Sequence, residues 1–361
     1  MMEYSIKNNS EKLIVKEEKS SSLDLLGTML LGIFMWILMG FNTFNADYRA
    51  YELLYQKIAT FGIDSDQNIE IGYRLLMKLS SNLSLNYQGF LIVTSFFCIL
   101  AFSLLLRKIT NEVFFSMLLF LIFGFFSSAI QIRNFIACII IIFAIYIFLK
   151  LNGLKSYIYY VIIILIASLF HVTSLFYLLF ILIKFDKKVI FTGFIISTLV
   201  IFTLKNNLQV YFSDTKFTMY LDPQASKGMA TNVILLIYFF SNCYLVKRIS
   251  TIDMKDNKTH LSSMIFYINL LASVSFPLVM INNNFIRLIR NIFLLNYSVY
   301  ASTVASIYKK TKIKNYIIIL AYFSFVLFSA YFFTVRGSAF EASVLSLFRN
   351  NLLFNWISKF F

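Results

Sequence analysis

The sequence predicts an all-α protein: a polytopic integral membrane helix bundle of about 11 membrane segments, with one short broken pair around His171. Three observations lead there. Hydrophobic residues make up 59% of the 361-residue chain, too many for a soluble domain. Apolar runs of spanning length recur from end to end. The net charge of +15 is divided among short loops and forms no single basic face. That argues against nucleic acid as a partner and fits the positive-inside bias of a bacterial inner-membrane protein.

The elements follow in order. Residues 1–23 form a polar tail, placed in the cytoplasm. The first span, 24–44, is too long for a signal-peptide core and reads as a retained start-transfer anchor. The membrane domain covers 24–334. Its clear spans are 88–106, 113–130, 134–149, 189–204, 230–246, 262–281, 287–306 and 315–334. Loops 45–87 and 205–229 are placed outside, as is an amphipathic tail, 335–361. Pro277 predicts a kink in the span before Arg287. Cys98, Cys138 and Cys243 lie far apart in apolar runs and read as small hydrophobes, with no disulfide or metal-ligand spacing.

The stretch 157–183 is decided by charge. One crossing would put Lys184/Lys187/Lys188, Lys247/Arg248/Lys255/Lys258 and Lys309/Lys310/Lys312/Lys314 outside; a crossing with return puts them all inside, as the bias prefers. The return is therefore predicted, with arms of roughly 12–14 residues reaching only about 20 Å. Backbone that turns at such depth must be buried in protein or line a wet cavity. Arg133, His171, Arg287 and Arg290 then share the outer leaflet.

Each candidate residue has two readings. Tyr48, Tyr51 and Tyr55 form one helical stripe, either an interfacial anchor or a platform for sugar rings. Asp47 and Glu70 flank that helix and are either solvated loop carboxylates or ligands for hydroxyls and protons. Arg133 either snorkels to the interface or offers a fork to phosphate oxygens. Arg287 and Arg290, at i and i+3, share a face and add cations to the same leaflet. His171 is either a polar helix-packing residue or, near neutral pH, a general base or a hydrogen-bond donor to phosphate.

These residues fall in DYRAYELLY (47–55), IEIGYRLL (69–76), QIRNFIA (131–137), SLFHVTSLFYL (168–178) and FIRLIR (285–290). In order and spacing the chain resembles the EpsG-type, Wzy-like polymerases of bacterial exopolysaccharide, capsule and O-antigen pathways. The resemblance implies a glycosyltransferase that moves a growing glycan from undecaprenyl pyrophosphate onto the next lipid-linked repeat unit. The transfer is expected at the outer face of the cytoplasmic membrane. It implies lipid-pyrophosphate-linked oligosaccharides as substrates, membrane lipids as surroundings, and a flippase and chain-length regulator as pathway partners. By position its motif residues are Asp47, Tyr51, Tyr55, Glu70, Arg133, His171 and Arg287. The expected roles are base for His171, with Glu70 second, and pyrophosphate clamp for Arg133 and Arg287, with Arg290 supporting. Asp47 and the Tyr stripe are expected to bind the acceptor glycan. No metal or other cofactor is expected. A lipid-linked oligosaccharide flippase or a membrane-bound acyltransferase is the alternative. The former favours polar groups at the midplane and repeated halves, and neither is visible.

Overall fold

The computed structural model describes residues 22–211, 229–255, 260–310, 320, 324, 327 and 340–359. Among these all regular structure is helical, and one isolated antiparallel bridge pairs Asn42 with Asn351. The first helices are α1 (Ser22–Gly40), α2 (Tyr48–Phe61), α3 (Ile71–Asn82), α4 (Tyr87–Ile109), α5 (Val113–Ile130), α6 (Ile132–Lys150) and α7 (Gly153–Ser168). A 3-10 helix, Val172–Lys184, follows. Then come α8 (Lys187–Tyr211), α9 (Met229–Lys255), α10 (His260–Ala272), α11 (Phe276–Ile281) and α12 (Ile286–Lys310).

Six helical segments among the described residues are long and apolar enough to cross a membrane: Leu23–Gly40, Tyr87–Ile109, Val113–Ile130, Ile132–Lys150, Lys187–Leu204 and Met264–Ile281. The chain is thus a multi-pass membrane protein, helical in its described residues. The expected span 315–334 lies almost wholly outside the described residues, as does most of loop 205–229, although α8 runs through the start of that loop to Tyr211. The expected kink near Pro277 is a 3-10 turn, Ser273–Ser275, after which the helix restarts with the proline in its first turn. That is the place where a missing backbone N–H costs least.

The pair around His171 is broken. Helix α7 stops at Ser168, His171 is extended (φ −154°, ψ 111°), and the chain returns as the 3-10 arm. At its far end Lys184 donates to Ser156 Oγ at 3.0 Å and to the Leu151 carbonyl, beside the turn where α7 began. Winding explains how arms of unequal length match. Sixteen α-helical residues rise about 24 Å, and thirteen 3-10 residues about 26 Å. Each arm is therefore longer than the roughly 20 Å expected of 12–14 α-helical residues.

Helix α12 organises the interior. It is rich in polar side chains, yet Asn291, Asn296 and Ser298 are buried. Asn291 exchanges two amide hydrogen bonds with Asn134 of α6 (3.1 and 3.2 Å), and Asn296 does the same with Asn269 of α10 (2.7 and 2.9 Å). Tyr300 donates to Asn242 of α9 at 2.9 Å, and Tyr177 of the 3-10 arm donates to the Leu288 carbonyl at 2.9 Å. Reciprocal amide pairs satisfy both partners in an apolar setting and fix the register of the helices they join.

Candidate active site

Glu70 stands at the centre of the site. It precedes α3, and its carboxylate reaches the break between α7 and the 3-10 arm. Oε2 accepts from Arg133 Nη1 at 2.5 Å. Oε1 accepts from the Val172 backbone N–H at 3.0 Å and faces His171 Nδ1 at 3.4 Å. The carboxylate thereby caps the first turn of the 3-10 arm, where negative charge is favoured. A second stitch lies beside it: the Gly72 N–H donates to the Leu169 carbonyl at 2.8 Å. A Cβ at Gly72 would stand 2.7 Å from that oxygen, so only glycine permits the approach.

Glu70 and Arg133 side chains are 12% and 11% exposed and that of His171 is 1% exposed. The reading of Glu70 as a solvated loop carboxylate therefore does not describe this structure. Burial alone would raise the Glu70 pKa. The hydrogen bond with His171, the Arg133 charge and the Val172 amide outweigh it and hold the carboxyl down at about 2. A carboxylate can only accept, so a neutral His171 facing it through Nδ1 carries its proton there. Its lone pair then lies on Nε2.

Arg133 is in the first turn of α6, just after Gln131, whose non-helical backbone (φ −96°, ψ 55°) separates α5 from α6. Gln131 Oε1 accepts from Arg290 Nη2 at 2.6 Å. Arg287, one turn earlier on α12, donates to Asn284 Oδ1 at 3.3 Å. Asp47, the residue before α2, is half-buried; burial raises its pKa, and the charges of Arg287 and then Arg133 partly offset the rise. The structure thus gathers Asp47, Glu70, Arg133, His171, Arg287 and Arg290, from five separate stretches of chain, into one neighbourhood.

The tyrosine stripe divides. Tyr51 has the Arg133 guanidinium 6.0 Å from its ring centroid, within cation–π reach. Tyr48 and Tyr55 are buried against the start of α4: Tyr48 donates to Gln88 Oε1 at 3.1 Å and Tyr55 to the Leu85 carbonyl at 2.6 Å. Their rings pack on Tyr87 at 5.0 and 5.9 Å. The stripe packs on α4, where burying apolar rings is favourable, and Tyr48 and Tyr55 keep an edge on a cavity of about 290 Å³ that they line with Glu52, Gln56 and Tyr87.

Sequence reasoning gave no role to Gln131, Gly72, Asn284 or the Val172 amide. A signal existed for two of them. Gln131 opens one of the motifs, and a glycine in the first turn of an amphipathic helix points to close approach of another backbone.

The EpsG family model matches residues 26–345, which include every site residue named above. Neither a curated protein nor a solved structure matches the chain.

Proposed function

The chain belongs to the EpsG family, and from that premise we propose that it is a polysaccharide polymerase acting on lipid-pyrophosphate-linked repeat units. In this reading it transfers the growing glycan from undecaprenyl pyrophosphate onto the next repeat unit, at the outer face of the bacterial cytoplasmic membrane. The observation that carries the reading is the meeting of His171 and Arg133 on one partly buried carboxylate, Glu70, with Asp47, Arg287 and Arg290 in the same neighbourhood.

In the transfer, an acceptor hydroxyl oxygen bonds to the anomeric carbon of the donor glycan. The bond from that carbon to the pyrophosphate oxygen breaks, and undecaprenyl pyrophosphate leaves with the electron pair. The hydroxyl proton passes to His171 Nε2, and the resulting imidazolium is stabilised through Nδ1 by Glu70. Glu70 orients and does not take the proton, since a carboxyl held at about 2 is a weak base near neutrality. Arg133 and Arg287 meet the charge that builds on the leaving pyrophosphate. A guanidinium has five donors and can serve a carboxylate and a phosphate together. Arg290 supports them through Gln131. Asp47 and Tyr51 are placed to bind the acceptor glycan.

The test uses purified protein in liposomes with lipid-pyrophosphate-linked repeat units, and no nucleotide sugar, ATP or divalent cation. Longer lipid-linked glycans are expected. His171→Ala should slow elongation far more than it weakens substrate binding, because a base acts mainly in the transition state. Repeat units that cross the bilayer but never lengthen would make the protein a flippase. Elongation that needs added Mg²⁺ would overturn the assignment of leaving-group stabilisation to arginines alone.

A further inference from the structure

We infer that the C-terminal segment 346–352 fixes the position of Asp47 by way of Asn42 and Asn45, making these two asparagines positioning residues for the transfer proposed above, on which this inference rests. Between the end of α1 at Gly40 and the start of α2 at Tyr48 the chain has no helix of its own. The C-terminal segment supplies its partners. The Thr43 N–H and hydroxyl both donate to the Asn350 carbonyl, at 2.7 and 2.8 Å, and the Leu352 N–H donates to the Phe41 carbonyl at 2.9 Å. Asn351 Nδ2 reaches the Ile37 carbonyl at 3.0 Å.

A directed chain of side-chain bonds runs on from that strap. Asn42 Nδ2 donates to the Ser346 carbonyl at 3.1 Å and to the Asn350 carbonyl at 3.4 Å. Asn42 Oδ1 accepts from Asn45 Nδ2 at 2.8 Å, and Asn45 Oδ1 accepts from the Asp47 N–H at 2.9 Å. Asn42 and Asn351 are fully buried, and Asn45 is nearly so. Each amide along the chain donates at one end and accepts at the other, so its orientation is dictated by the carbonyls of the strap. An aspartate at 42 has no donor for those carbonyls and would set charge against them. The last link ends on the backbone of the residue that carries the carboxylate beside Arg287 and Arg133. A strap that merely secured the tail would need only the bonds at Thr43 and Phe41.

The experiment has two arms, both on the full chain in lipid nanodiscs. Hydrogen exchange of the 42–47 amides should quicken at least tenfold in Asn42→Ala. It should also quicken in the milder Asn351→Ser, whose neutral hydroxyl can still accept from the Leu353 and Phe354 N–H groups but loses the amide donor to Ile37. Unchanged exchange in both variants would overturn the inference. In the elongation assay, Asn42→Ala and Asp47→Ala should each slow transfer about tenfold, and the double variant should be no slower than Asp47→Ala. Losses that multiply in the double variant would show that Asn42 acts apart from Asp47 and sink the positioning role. If Asp47→Ala elongates at the wild-type rate, the positioning role falls together with the role of Asp47. If the unmodified protein never elongates, the polymerase reading and the positioning role fall together, and the exchange arm alone then reports whether the strap holds the loop.

Discussion

Glu70 shows what a single partly buried carboxylate contributes when three donors converge on it. Its pKa lies below the usual carboxylate value of 4.5, at about 2. It therefore contributes stability that is complete above pH 4.5 and is lost as pH falls toward 2. Wild-type protein in detergent should show a falling melting temperature across that acid window, and the fall should be shallower in Glu70→Gln, which lacks this one titration. At neutral pH the same variant removes the carboxylate that Arg133 bonds, a loss of about 1.5–3 kcal/mol for a hydrogen bond between charged groups. A Glu70→Gln protein that melts like wild type at pH 7 and keeps the full acid dependence would place the stabilisation elsewhere. The sequence made Arg133 and His171 legible, because ionisable groups beside apolar runs are costly and rare. It did not show that Glu70 is largely withdrawn from solvent. Its partners are 63 and 101 residues away, and a carboxylate in a polar loop reads as solvated until the fold closes over it.

Among the elements, the junction of α3 with the broken pair depends on one position that has no side chain. Gly72→Ala would bring a methyl group to 2.7 Å from the Leu169 carbonyl, a backbone atom that cannot swing away. The expected cost is about 1–3 kcal/mol from the forced separation of α3 and the turn. Val172 should lose its cap at the same time, so elongation should fall more than tenfold while membrane insertion is retained. A Gly72→Ala protein of wild-type activity and melting temperature would show that the approach is dispensable. The break at His171 was legible because loop charges demanded that the chain return. The 3-10 winding of the return arm was not, since periodicity does not separate 3.0 from 3.6 residues per turn over thirteen mostly apolar positions. Likewise the period of the tyrosine stripe was plain in the sequence. Which surface it met was decided by the start of α4 and the turn before it, some thirty residues further on, through Leu85 in the turn and Tyr87 and Phe90 in the helix.

At the scale of the whole molecule, the internal geometry links the broken pair to the sidedness of everything after it. Lys184 bonds to the turn at Leu151 and Ser156, so the two ends of the pair lie at one level. Lys150, Lys155, Lys184 and Lys187 therefore share a side of the bundle, and Glu70, Arg133 and His171 share the other. Their charge favours the cytoplasm for the lysines. Single cysteines at 155, 187, 255 and 312 are expected to resist an impermeant thiol reagent in intact cells, and one at Gln67, exposed in the loop between α2 and α3, is expected to react. Positions 155 and 187 are the decisive pair. Labelling of both from outside would invert the protein and move the candidate site to the cytoplasmic face, away from where lipid-linked repeat units are expected. Labelling of 187 but not 155 would mean that the chain crosses once between them, contrary to the bonds of Lys184. Protection of both, with Gln67 labelled, is the result that places Glu70 and its arginines on the outer side, where the proposed transfer requires them.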